Sequence, residues 1–82
     1  MTSSVFERVR VVASDVFKVP GAEIRAESSP EDFESWDSLQ HLNLVLALEQ
    51  EFGIQFEPEE IDRMNRIDRI LSLVENKIQH AV

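Results

Sequence analysis

Apolar positions recur along the chain at helical spacing, and no segment alternates convincingly as a strand would. Val5, Val9, Val12 and Val16, with Ala13 on the same face, predict a helix from about Ser4 to Lys18. Ser4 with Glu7 three residues on suggests a capping box, and Pro20 and Gly21 mark the end. Valines are weak helix formers, so packing rather than propensity must hold this helix. A second helix is predicted from Ser38 to about Phe52, with Asp37 as N-cap, Gln40 completing a capping box and Gly53 as the terminating residue. A short third helix starts at Pro58, with Glu59 and Glu60 suited to its first turn. The fourth runs from about Arg66 to Gln79 behind a candidate cap at Asn65, with Asp68 three residues on. Ile67, Ile70, Leu71, Val74 and Ile78 form its apolar face. The expected fold is all-α: a four-helix bundle in one domain, residues 1–82, with a long loop between the first and second helices and a short third helix.

Two features need more than a core to explain them. Residues 19–36 make a long connection for so small a domain, as expected of a functional Ω-type loop, with Ile24, Phe33 and Trp36 as its anchors. The second helix carries two apolar stripes. At about 100° per residue, Leu44, Val45, Leu48 and Phe52 form one, and Leu39, Leu42 and Leu46 form another roughly opposite. An edge helix buries one stripe fully. The second is either core as well or an exposed patch for a partner, beginning at the helix N-terminus.

Charge narrows the partners. The net charge is −8, and residues 23–62 hold 12 acids against one base, Arg25, a net of −11. Such a middle disfavours nucleic acid and anionic membranes and suits proteins with basic docking patches, although a merely solubilising surface reads the same way. The chain has no cysteine, which rules out a disulfide framework, a thiolate metal site and a cysteine nucleophile. Glu7, Arg8 and Arg10 interrupt any apolar run near the start, so neither a secretory h-region nor a membrane span is expected. Together these fit a reducing, cytoplasmic setting. An enzyme is disfavoured: His41 and His80 lie far apart, and no glycine-rich phosphate loop, metal-ligand spacing or EF-hand pattern is present.

The run Trp36-Asp37-Ser38-Leu39-Gln40-His41-Leu42, continuing through Leu44, Leu48, Glu49, Phe52 and Gly53, resembles the attachment-site region of acyl carrier proteins. The likeness extends through Phe56, Ile61 and Ile67 to the fourth helix, so it covers nearly the whole chain. It implies a carrier without catalysis of its own, bearing 4'-phosphopantetheine covalently on Ser38 and presenting acyl thioesters to enzymes of fatty-acid, lipid or polyketide-type biosynthesis. The implied partners are a phosphopantetheinyl transferase (holo-carrier synthase) and acyl-loading and acyl-using enzymes, met by a monomer. Asp37, Leu39, Gln40, Leu42, Asn43, Leu46 and Glu49 match partner-recognition positions. The resemblance also implies shelter for cargo between the second, third and fourth helices, with Leu42, Leu46, Ile61, Ile67 and Leu71 as lining candidates.

The departures from the family pattern are specific. Gln40 and Asn43 stand where many fatty-acid carriers have acids, leaving Glu49 as the main charge near the exposed stripe and pointing to a specialised pathway. Trp36 replaces a smaller residue, as in some polyketide and aminoacyl carriers. His41 is expected to pack, partly buried, on the third helix, the alternative being contact with the arm or pH sensing. Two other readings stand beside the leading one: an aminoacyl or peptidyl carrier, and a small helical adaptor without a prosthetic group.

Overall fold

The computed structural model describes the backbone of residues 2–80 and the side chains of residues 5–78. Four α-helices, α1 (Thr2–Phe17), α2 (Ser38–Phe52), α3 (Pro58–Arg63) and α4 (Ile67–His80), surround one core, with no strand among the described residues. The connection from α1 to α2 contains 3₁₀ turns at Gly21–Glu23 and Pro30–Asp32. Val9, Ala13 and Phe17 of α1, Leu44, Val45 and Leu48 of α2, and Ile67, Ile70 and Val74 of α4 are buried together with Met64 from the α3–α4 turn. The helical periodicity predicts most of this set; Phe17 and Met64 join it unpredicted, while Val5, Val12, Val16, Leu71 and Ile78 are only partly buried, and Ile24 and Trp36 from the long connection close the core.

The helix ends depart from the sequence expectations in three places. Helix α1 begins at Thr2, so Ser4 lies inside it and not at a cap, and the Glu7 carboxylate accepts instead from Arg10 at 3.2 Å. Its end is set by Lys18, which takes the left-handed conformation (φ 60°), before Pro20 and Gly21 are reached. Asn65 does not cap α4, because its Oδ1 accepts from Arg69 Nη1 at 3.2 Å. The first amides of α4 are satisfied by the long connection: Ile67 N–H donates to Ser28 O at 3.0 Å and Asp68 N–H to Ala26 O at 2.7 Å. The stretch around Ala26 and Ser28 is therefore a cap made of backbone carbonyls, which ties the long connection to α4.

The end of α2 and the start of α3 behave as predicted. Gly53 ends α2 in the left-handed region (φ 65°, ψ 40°), its N–H donating to Glu49 O. A Cβ built there meets nothing within 4 Å, so only the backbone conformation opposes a side chain. Gly53→Ala should cost about 1 kcal/mol, and Gly53→Asn less, read from the denaturation midpoints of the two variants. Helix α3 has Pro58 at its first turn and a reciprocal capping box between Glu57 and Glu60. The Glu57 amide, and then the Lys77 ammonium at 2.8 Å, hold the Glu60 carboxyl below the usual carboxylate range. This contact ties α3 to α4.

Candidate functional site

Ser38 is the first residue of α2 and is exposed. Asp37 before it has extended backbone, and its Oδ1 accepts the Gln40 N–H at 2.9 Å. The N-cap follows from the sequence, but the reciprocal half of the capping box does not form. The Gln40 side chain turns along the helix, and its Oε1 accepts from Asn43 Nδ2 at 3.0 Å. Asp37→Ala should therefore remove the single side-chain cap of α2. The expected loss is about 1 kcal/mol, or roughly 4–8 °C in melting midpoint for a domain of this size.

The two stripes of α2 separate cleanly. Leu44, Val45 and Leu48 are buried and Phe52 half-buried, whereas Leu39, Leu42 and Leu46 are 67%, 51% and 57% exposed. The second stripe is thus a surface. Gln40 and Asn43 flank it as a hydrogen-bonded amide pair that carries no charge. Glu49 differs from its expected role: its Oε2 accepts the Phe56 N–H at 2.9 Å, and its backbone carbonyl accepts from Gly53 and Ile54. It is a staple for the α2–α3 turn more than a free charge on the recognition face.

A cavity of about 580 Å³ opens beside Ser38, between the start of α2 and α3. Of the residues expected to shelter cargo, Leu42 and Ile61 line it. The others do not. Leu46 belongs to the exposed stripe, Ile67 is wholly buried in the core, and Leu71 packs half-buried against that core. Asp62 and Asn65 also line the cavity, and sequence pattern gave no sign of them, since they come from a different element and face it only once α3 has folded back.

His41, one turn after Ser38, spans the cavity wall. Trp36 Nε1 donates to His41 Nδ1 at 3.0 Å, and His41 Nε2 lies 2.9 Å from Ile61 O. An indole N–H only donates, so Nδ1 must accept and Nε2 must carry the proton given to the carbonyl. This assigns a neutral imidazole as the bridge from the long connection to α3. Trp36 itself is buried, stacked on Phe17 with centroids 4.9 Å apart and beside His41 at 6.2 Å. His41 therefore packs against the third helix as the sequence suggested. Its former counterpart, His80, has a side chain outside the described residues.

Among the described residues no cluster of His, Cys, Asp or Glu is placed to hold a metal, and no helix is long and apolar enough to cross a membrane.

Residues 7–74 match the family model described as a phosphopantetheine attachment site. An acyl carrier protein of Thermosynechococcus vestitus is 29% identical over 93% of this chain and 94% of its own length. One from Clostridium acetobutylicum is 33% identical over 85% of this chain and 91% of its own. In three dimensions the chain is similar to the solution structure of a holo acyl carrier protein from Geobacter metallireducens. The TM-score is 0.85 at 26% identity, covering 94% of this chain and 88% of that one.

Proposed function

The chain belongs to the phosphopantetheine attachment family of acyl carrier proteins, and from that premise we propose that Ser38 bears the arm. Members of the family are carriers and not enzymes. The group is attached covalently, and when bound it supplies a terminal thiol that holds an acyl group as a thioester. What the chain's own residues contribute is position. The carrying observation is an exposed serine at the first residue of α2, directly after its N-cap and on the rim of a cavity. The free amides and macrodipole at a helix start favour the anion of a phosphodiester at that hydroxyl. Three other serines are committed elsewhere. Ser14 Oγ donates to Val19 O, Ser28 is buried and accepts from the Arg25 amide, and Ser29 shares a capping box with Asp32.

The exposed Leu39, Leu42 and Leu46 form the surface offered to partners. These are a phosphopantetheinyl transferase and the enzymes that load and use the acyl group in biosynthesis. Exposed Asp37 and Asp62, which line the same cavity as Ser38, add acidity there and suit basic docking patches. The uncharged Gln40–Asn43 pair and the committed Glu49 weaken the charge on the α2 face itself, which favours a specialised set of enzymes. We read the carrier as a cytoplasmic monomer. The test is treatment with a phosphopantetheinyl transferase and coenzyme A, followed by intact mass and peptide mapping. One arm per chain, on the peptide containing Ser38, is the expected result; no adduct would favour an adaptor without a prosthetic group.

A further inference from the structure

We propose that Trp36 and His41 limit what this carrier shelters, by latching the seam between α2 and α3 so that an acyl chain stays in the open cavity beside Ser38 and does not enter the core. The proposal rests on Ser38 as the attachment point. His41 and Leu42 are three and four residues after Ser38, so both stand over it on the same face of α2. Any cargo folding back from Ser38 toward the interior meets His41 first. His41 is held at both ring nitrogens, by the Trp36 indole on one side and by the Ile61 carbonyl of α3 on the other. Prising α2 from α3 would break a hydrogen bond and leave the polar groups of a half-buried site without partners.

Trp36 forms the wall of the cavity next to His41 and closes the same route. It is buried, it is stacked on Phe17, and its N–H is committed to His41, so it cannot swing without giving up both contacts. The interior residues that an aliphatic chain would seek, Leu44, Leu48, Met64 and Ile67, are wholly buried. The cavity is open to solvent and is bordered by Pro30, Trp36, Leu42 and Ile61 as well as by polar residues such as Asp37 and Asp62. A chain lying there keeps one side toward solvent, so lengthening it adds little burial. Trp36 and His41 act here as positioning residues that determine specificity by exclusion.

The experiment loads the holo protein with acetyl, butyryl, hexanoyl and octanoyl groups. Loading is verified by intact mass, so failure to attach the arm is recognised separately from failure of the latch. Two readouts follow: melting midpoint, and the rate of thioester cleavage by hydroxylamine. In the unaltered protein both should be flat across the series, with midpoints within about 2 °C of one another. His41→Ala removes the bridge, and Trp36→Phe keeps an aromatic ring but removes the indole donor. Each variant should have a lower midpoint in the acetyl form. Each should then gain about 4 °C or more from acetyl to octanoyl, with octanoyl cleavage slowed several-fold. A purely structural role would lower all midpoints equally and leave the series flat. The proposal is overturned if the unaltered protein gains stability with chain length, or if the series stays flat in the folded variants. Should His41→Ala not fold, Trp36→Phe alone decides.

Discussion

Ser38→Ala is expected to abolish arm attachment completely while leaving the fold intact. Alanine is the best helix former, and position 38 is exposed at the first residue of α2, where Asp37 and not Ser38 supplies the cap. A surface change of this kind typically stays within about 0.5 kcal/mol. Far-ultraviolet circular dichroism and the melting midpoint should therefore match those of the unaltered protein. Intact mass after transferase treatment should show the apo mass alone, against full conversion of the parent. Because the thioester resides on the arm, carriage of cargo falls to zero with it. An adduct of full size on Ser38→Ala would move the attachment to another hydroxyl, and exposed Ser72 on α4 would be the next to map.

The attachment region was legible because its signals are local. Asp37 caps the helix that Ser38 begins, Gly53 ends it, and both roles depend on a few consecutive backbone groups. The interior was legible for the same reason, since the periodicity that puts Leu44 and Leu48 on one face needs no knowledge of the rest of the chain. What stayed hidden depends on contacts between distant segments. The start of α4 reads as needing a side-chain cap, yet the carbonyls of Ala26 and Ser28 take its amides across some forty residues of sequence. Glu49 reads as a recognition charge until the turn carrying the Phe56 amide folds back onto it. His41 reads as a partly buried histidine, and the sequence gives its neighbourhood. Only the juxtaposition of Trp36 with the Ile61 carbonyl shows that it joins two elements. The candidate cargo lining fell short on the same grounds. Ile67 is apolar and on the right helix, but it is turned fully into the core, while Asp62 and Asn65 reach the cavity.

Leu48→Ala and Leu46→Ala, two positions apart on one helix, are expected to have opposite consequences. Leu48 is wholly buried in the core, and Leu46 is 57% exposed. Truncating a buried leucine typically costs about 2–5 kcal/mol, from lost transfer energy and the cavity left behind. A domain of this size has a total stability on the order of 4–12 kcal/mol, so Leu48→Ala should lower the melting midpoint by about 8 °C or more, at about 4–8 °C per kcal/mol. Leu46→Ala removes a side chain that is mostly in water already, and its midpoint should move by no more than a few degrees. Partner binding reverses the order. A leucine that an enzyme covers contributes roughly 1.5–3 kcal/mol on full burial. Its loss should therefore weaken transferase kcat/KM about tenfold or more in Leu46→Ala or Leu39→Ala, with kcat/KM unchanged in the folded fraction of Leu48→Ala. The pair of measurements separates the two stripes of α2 directly. A large drop in midpoint with unaltered transferase kinetics for Leu46→Ala would mean that the second stripe packs in solution, and the docking surface would then have to be sought on the acidic residues around Ser38.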